Sequence, residues 1–254
     1  MGFEPTTFAV PKLSVLLKGK PGAAKTHTAL SFPGPILYLY ADPNLETARQ
    51  LCKARNDIVA VRIADWKNYH KDIRAVLGDR SSLEVDKVPV KTVVLDTWSF
   101  FAGQITKDLQ GPQGKMQMQD WGMLLNRQQE ALLELVTMTL PMEMPDGSTH
   151  PGVNIVVNCH TKENFEEGGA LHSIGLAIQG SFSTNMEAYF DYVLLLEARV
   201  ATTIVNSKAV DTKEYVIHSI PPPKHTCKGG NLPPKITVPA GANPFDELNK
   251  TWKI

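Results

Sequence analysis

One loop constrains this chain more than any other stretch of its sequence. Residues 13–17, LSVLL, form a short apolar run rich in strand-forming residues, and residues 19–26, GKPGAAKT, follow it closely. The next residues are typical of a short helix that Pro33 ends. This order predicts a phosphate-binding loop: a strand, then a glycine-containing loop ending in Lys-Thr, then a helix. In such a loop, backbone N–H groups wrap phosphate oxygens.

Position 24 departs from the usual pattern, G-x-x-x-x-G-K-[ST], because alanine replaces the second glycine. Alanine is tolerated there if its backbone φ is negative and strained if φ is positive. We expect Lys25 to reach the β- and γ-phosphates of ATP and the Thr26 hydroxyl to bind Mg²⁺. The alternative is an ordinary strand-to-helix turn. The predicted nucleotide-binding residues are Gly19, Lys20, Pro21, Gly22, Ala23, Ala24, Lys25, Thr26 and His27.

A second signature ends the most strand-like segment of the chain. Residues 90–96, VKTVVLD, contain an unbroken apolar run, which is typical of a central parallel strand covered on both faces. An aspartate that ends such a strand beside a phosphate loop holds Mg²⁺, usually through water. The sequence therefore predicts ATP and Mg²⁺ as cofactors, with Thr26 and Asp96 at the metal. A structural reading of Asp96, as a cap for the next segment, stays open.

The order of elements predicts the fold class. Apolar strands alternate with helical segments up to about residue 160, which favours an α/β fold with a mainly parallel central sheet and helices on both faces. Three closely spaced strand candidates in residues 189–220 predict an antiparallel C-terminal extension. We expect one domain over residues 1–254, with an arm at 1–11 and a proline-rich extended tail at 221–254.

Charge and cysteine content exclude some classes of partner. Lys+Arg and Asp+Glu number 26 each, so no global positive field is available for nucleic acid or for a polybasic membrane anchor. No apolar run approaches the ~18 residues needed to span a bilayer, so no membrane partner is expected. The three cysteines are far apart, without a CxxC pair, which fits the reducing cytoplasm better than a disulfide or zinc framework.

Four features in order resemble one family of ATPases: GKPGAAKT (19–26), VVLDT (93–97), VVNCH (156–160) and LAIQGSFSTNMEAYFDYVLLLEA (176–198). Together they resemble the RecA-like ATPases of bacteriophages and prophages, in the branch of phage single-strand annealing proteins. The first two motifs are shared with many ATPases, whereas the last two narrow the family. The similarity runs from about residue 12 to residue 240.

This resemblance implies a RecA-like P-loop core that binds ATP, Mg²⁺ and single-stranded DNA. It also implies slow, DNA-stimulated hydrolysis in phage homologous recombination, within the cytoplasm of a bacterial host. The implied partners are further copies of the chain, in a ring or filament, and a single-strand-binding protein. Asp42 matches the acidic residue that orients the attacking water, although the family commonly has glutamate there. His160 matches the polar residue that senses the γ-phosphate.

The resemblance also suggests how DNA and a neighbouring subunit are contacted. A Lys-x-Arg motif near the C-terminal strands often reaches the neighbour's nucleotide, but here Lys228 is followed by Gly230 at the arginine position, which leaves Lys224 or Lys228 for the role. By position, the DNA-binding loops are residues 103–119 and 161–180. Neither is strongly basic. The possible base-stacking side chains are Phe165, Phe182, Trp98 and Trp121.

Two other functions stay open from the sequence. A non-catalytic, nucleotide-gated replication adaptor or helicase loader is favoured by Ala24, Asp42 and Gly230, all of which lean toward weakened hydrolysis. A P-loop kinase of a small molecule would need arginines in a lid, and the arginines of this chain are few and scattered.

Overall fold

A computed structural model describes residues 12–43, 45–80, 83–110, 114–144, 147–166, 168–205, 208–239 and 241–252. The predicted arm at residues 1–11 lies outside the described residues, which begin at Lys12. The prediction of a single domain stays a prediction.

A central sheet of nine strands forms the body of the molecule. Its parallel strands, in spatial order, are β3 (Ile58–Arg62), β2 (Ile36–Tyr40), β6 (Thr92–Asp96), β9 (Asn154–Phe165), β1 (Ser14–Gly19) and β11 (Tyr192–Val205). Two antiparallel strands, β12 (Lys208–His218) and β13 (Lys235–Val238), follow at the β11 edge. Strand β10 (Leu171–Leu176) pairs antiparallel with the end of β9. Two short hairpins lie apart: β4 (Glu84–Val85) with β5 (Val88–Pro89), and β7 (Met142–Glu143) with β8 (Thr149–His150).

Helices cover both faces of this sheet. Against one face pack α1 (Lys25–Ala29), α2 (Glu46–Ala54) and α8 (Pro244–Trp252). Against the other pack α3 (Trp66–Asn68), a π-helical turn (Tyr69–Ile73), α4 (Arg74–Gly78), α5 (Trp98–Leu109), α6 (Met118–Thr137), α7 (Phe182–Asn185) and a 3₁₀ turn (Met186–Tyr189). We call the first the α1 face and the second the α5 face.

The apolar runs seen in the sequence explain why the sheet is buried on both sides. Strand β6 is covered along its whole length, and β1 likewise. Successive side chains of a strand point to opposite faces, so Val94 enters the α1-face core while Val93 and Leu95 enter the α5-face core. Fully burying one such side chain contributes roughly 1.5–3 kcal/mol. The predicted fold class is therefore confirmed as an α/β core with a mainly parallel sheet, helices on both faces and antiparallel C-terminal strands.

Three details differ from the sequence-based expectation. The tail at 221–254 is not only extended, because it contributes β13 to the sheet and α8 to the α1 face. Residues 161–180 are not simply a loop, because β9 continues to Phe165 and pairs with β10 as a hairpin. The first two of the three closely spaced strands are one long strand, β11, which pairs antiparallel with β12 as expected.

Candidate nucleotide-binding site

The predicted phosphate loop connects β1 to α1 as a tight turn. A side chain at Gly19 would have its Cβ 2.4 Å from the carbonyl oxygen of Leu196, so only glycine fits where β1 passes β11. Farther along, the backbone turns through left-handed conformations at Gly22 (φ 80°) and Ala24 (φ 64°). Alanine at position 24 is thus the strained case, costing roughly 1–2 kcal/mol relative to a right-handed conformation. The loop keeps its shape despite the missing glycine.

Backbone N–H groups at the start of α1 are available to an anion. The first bond made within the helix runs from Thr28 N–H to the Ala24 carbonyl. The N–H groups of Lys25, Thr26 and His27 therefore precede the first intrahelical bond, as in any helix start. Consecutive unpaired N–H groups of this kind form a concave nest suited to phosphate oxygens.

Lys25 lies across the mouth of this loop. Its Nζ donates to the carbonyl oxygens of Gly19 at 2.9 Å and Lys20 at 3.0 Å. Only 5% of Lys25 is exposed, and burial lowers the pKa of its ammonium to about 8 although the Asp96 carboxylate opposes that shift. A cation held in so dry a place interacts strongly with any phosphate that enters.

A hydrogen bond joins the two predicted metal-binding residues, Thr26 and Asp96. The hydroxyl of Thr26 donates to Asp96 Oδ2 at 2.6 Å, and the hydroxyl of Tyr38, one strand away on β2, donates to the same oxygen at 3.0 Å. Asp96 is 3% exposed, so these bonds fix its carboxylate inside the site. Burial, with the nearby Asp96 charge, raises the pKa of Tyr38, which keeps its hydroxyl a donor.

Asp42 and His160 face each other at the same edge of the sheet. The distance from His160 Nε2 to Asp42 Oδ2 is 3.9 Å. Burial, and after it the positive charge of Lys25, lowers the pKa of His160, so the ring is neutral at pH 7 and the contact is polar rather than an ion pair. Ser99 Oγ holds the backbone N–H of His160 at 3.0 Å.

One cavity of about 210 Å³ collects most of the predicted site residues. Its lining includes Pro21, Gly22, Ala24, Lys25, Thr26, His27, Asp42, Asp96 and His160, together with Thr47 and Thr97, which the sequence did not single out. Lys20 and Ala23, with Pro21, line a separate cavity of about 330 Å³ between the loop and β11. Lys20 also pairs with Glu163 on the β9–β10 hairpin at 2.8 Å. Gly19 shapes the loop without lining either cavity.

The residues of this site fit Mg²⁺-ATP. A nest of N–H groups and a buried ammonium suit polyphosphate, and a hydroxyl beside a carboxylate are the oxygen ligands that Mg²⁺ prefers. Thr26 and Asp96 would hold the ion and Lys25 the phosphates, as the sequence predicted.

Some contributing residues could not be found from motifs. Tyr38 lies in an ordinary apolar strand, and only its position one strand from Asp96 reveals its role. Lys18, next to the loop, is fully buried, and its Nζ contacts Glu187 and Thr226, each at 2.7 Å. The sequence did hold one sign of this: Lys18 is a charged residue inside an otherwise apolar strand.

The two candidate lysines for a neighbouring nucleotide are engaged within the chain. Lys228 Nζ donates to the Phe190 carbonyl at 2.6 Å, and Lys224 Nζ donates to the carbonyl of Leu171. Lys228 also pairs through its backbone with Val193. Both lysines therefore fix the segment after β12 against the body of the chain.

Two of the four candidate base-stacking residues are unsuited to that role. Trp98 and Phe182 are fully buried in the α5-face core. Trp121 at 45% exposure and Phe165 at 59% stay candidates. The first predicted DNA loop is also partly helical, because α5 continues to Leu109.

Comparison with known proteins decides the family. A family model described as an AAA domain, AAA_24, matches residues 11–229. The chain belongs to the AAA_24 family. Membership implies nucleotide binding, typically with Mg²⁺, which agrees with the site geometry. The match does not distinguish the phage annealing branch, which stays a prediction.

No curated protein matches this AAA domain. Among solved structures, the flagellar accessory protein FlaH from Methanocaldococcus jannaschii is similar over 92% of this chain and 88% of its own, at 9% sequence identity and a TM-score of 0.42. The strand order and the loop contacts, rather than this likeness, carry the description of the site. Within the described residues, no helix is both long enough and apolar enough to span a membrane.

Proposed function

We propose that this AAA domain is an Mg²⁺-dependent ATPase that binds single-stranded DNA and promotes phage homologous recombination by strand annealing. The observation that carries the nucleotide part is the 2.6 Å bond from the Thr26 hydroxyl to Asp96 Oδ2. It joins the phosphate loop to the strand-end carboxylate, which is the pairing that a phosphate-bound Mg²⁺ requires. Bound Mg²⁺ would neutralise charge that develops on the transferred phosphoryl group.

Other residues of the site would bind the phosphates and activate the attacking water. Lys25 and the loop N–H groups bind and orient the phosphates. Asp42, whose side chain is 18% exposed beside the phosphate loop, would accept a proton from an attacking water. The neutral His160 beside it offers a hydrogen bond without adding charge. Lys25 and Asp96 are both nearly buried, so their charges would act on a bound phosphate or ion with little screening by water.

Single-stranded DNA is the proposed partner because exposed aromatic side chains lie at the carboxyl edge of the sheet. Trp121 packs beside Gly180, which follows the β9–β10 hairpin: a Cβ added to Gly180 would lie 4.0 Å from the indole ring. Phe165 lies on the hairpin itself. Aromatic faces stack on any base, which suits annealing without sequence preference. Self-association into a ring or filament would multiply such weak contacts along one strand.

A nucleotide-gated adaptor or helicase loader is the second candidate. The strained Ala24 and the short Asp42 side chain favour it, because both depart from the usual motif in a way that would weaken hydrolysis. A small-molecule kinase has no such support.

Binding and turnover assays test the proposal. Purified protein is expected to bind Mg²⁺-ATP, to bind oligo(dT), and to hydrolyse ATP faster when oligo(dT) is present. Lys25→Ala should remove nucleotide binding while the matched surface variant Lys71→Ala keeps it. Trp121→Ala and Phe165→Ala should each weaken oligo(dT) binding by roughly tenfold, since one base stack contributes about 1–3 kcal/mol. Val88→Ala, an exposed apolar side chain elsewhere, should not.

Each assay has an outcome that contradicts its part of the proposal. ATP binding without any affinity for oligo(dT) at low salt would favour the adaptor. Normal ATP binding by Lys25→Ala would show that the nucleotide site is assigned to the wrong loop.

A further inference from the structure

Asn158 is a fully buried carboxamide in the centre of the sheet. Its exposed fraction is 0%, and neither its Nδ2 nor its Oδ1 has a hydrogen-bond partner among the described residues. Buried amide groups are almost always paired, and an unpaired one lowers the stability of the fold. Residues that break this rule tend to serve a functional site.

The strand register places Asn158 beside Asp96. Strand β9 lies between β1 and β6, and Asn158 is the register partner of Leu17 on β1. On the other side Leu95 is the partner of Val157, so the next position of β6, Asp96, adjoins Asn158.

Asn158 also faces the same side of the sheet as Asp96. Its chain neighbours Val157 and Cys159 both lie in the α5-face core, so the alternation of a strand directs Asn158 to the α1 face. Asp96 reaches that face too, since it accepts the hydroxyls of Thr26 and Tyr38 there. The unpaired amide therefore lies on the α1 face of the sheet, next to Asp96 in the strand register.

Asp96 has capacity for a further donor. Both of its known hydroxyl donors use Oδ2, whereas a carboxylate accepts at both oxygens and at about four positions. The Asn158 carboxamide carries two N–H donors. Carboxylates that serve metal ions are themselves held by hydrogen bonds, and those partners tune metal affinity.

We infer that Asn158 is a positioning residue for the divalent-cation site, whose amide N–H holds the Asp96 carboxylate when the site is loaded. The inference rests on the proposed Mg²⁺-ATP function and names a residue that the phosphate-loop motifs do not contain. It has an unusual consequence. Replacing the amide by an apolar side chain of similar size should leave the free protein as stable as before or more so, and should weaken Mg²⁺ binding.

Asn158→Leu and Gln128→Leu form a matched pair for the test. Gln128, on α6, is the control because it is also fully buried with both amide atoms unpaired, but it lies on the α5 side of the sheet. Thermal unfolding of the free protein gives stability. Titration of MgCl₂ into protein with a fluorescent ATP analogue gives the Mg²⁺ concentration for half-maximal binding, and the same analogue in EDTA gives metal-free binding.

We expect both variants to melt at or above the wild-type temperature and to bind the analogue normally in EDTA. Only Asn158→Leu should need more Mg²⁺, by about tenfold or more. An Asn158→Leu protein that is less stable than wild type would overturn the inference, because the amide would then serve the fold. A Mg²⁺ requirement within twofold of wild type would also overturn it. If wild type itself shows no Mg²⁺-dependent binding, the proposed function fails and this inference with it.

Discussion

Asp42 Oδ2 and His160 Nε2 lie 3.9 Å apart, although Asp42 follows β2 and His160 lies within β9, two strands that are not neighbours in the sheet. Strand β6, with Asp96 at its end, lies between those strands. The carboxylate, the imidazole and the cation site therefore share one cavity. If Asp42 activates the attacking water, as proposed, and Lys25 binds the phosphates, then binding and hydrolysis depend on different residues.

Changing Asp42 should separate these steps. Asp42→Asn keeps the size of the side chain and removes its ability to accept a proton, so ATP turnover is expected to fall by about 10²–10⁴-fold. The dissociation constant for Mg²⁺-ATP should stay within about threefold. Asp42→Glu is the companion variant, because a longer carboxylate keeps the base. Steady-state turnover and equilibrium binding measure the two quantities, and an Asp42→Asn protein with wild-type turnover would exclude Asp42 as the base.

The low pKa of Lys25 predicts that nucleotide affinity depends on pH. With a folded-state pKa of about 8, Lys25 loses its charge as pH rises above that value, and Mg²⁺-ATP binding should weaken by up to tenfold per pH unit. Protein stability should move the other way. The unfolded chain keeps the proton up to 10.5, so this group's contribution to the free energy of unfolding rises between pH 8 and 10.5.

Affinity measured from pH 7 to 9.5 checks this prediction. Lys25→Arg is the control, since a guanidinium stays charged throughout and its weaker binding should not vary with pH. Wild-type affinity that is flat over the same range would mean that Lys25 does not pair with the phosphates.

Ala24→Gly should stabilise the protein. The backbone at position 24 is left-handed, where glycine avoids the steric conflict of the alanine Cβ, so we expect a gain of about 1 kcal/mol in the free energy of unfolding. For a chain of this size the melting temperature should rise by about 2–4 °C. Ala29→Gly, inside α1 and buried, should do the opposite. Urea unfolding of both variants tests the difference in sign, and a destabilised Ala24→Gly would show that the loop is not strained.

Breaking the buried pair of Lys18 and Glu187 should be costly. Lys18 has no exposed side-chain area and Glu187 has 20%, with 2.7 Å between their charged atoms. Glu187→Gln would leave a buried ammonium without its counter-charge, lowering the free energy of unfolding by about 3 kcal/mol. Glu163→Gln breaks the exposed pair with Lys20 and should leave stability almost unchanged. Equal effects of the two variants in urea unfolding would contradict this account.

The sequence predicted the parts of the molecule that depend on local patterns. The phosphate loop at 19–26 and the strand that ends at Asp96 can each be recognised from a short stretch of consecutive residues. Apolar runs located the strands of the parallel core. The rest depends on pairing across long separations. The burial of Lys18 follows from neighbours supplied by distant segments, Glu187 and Thr226. The amphipathic stretch after Pro244 was obscured by the many prolines before it, and so helix α8 was missed.

Strand β9 is 12 residues long, and its two ends belong to different surfaces. Its inner half pairs with β6 as far as Val157 and with β1 as far as His160, whereas its outer half pairs with β10 and ends at Phe165. The same strand is paired along its whole length, first in the central sheet and then with β10, so one continuous backbone connects the cleft to the projecting hairpin. A partner bound at the tip of the β9–β10 hairpin and a nucleotide bound in the cavity would therefore both contact the same strand.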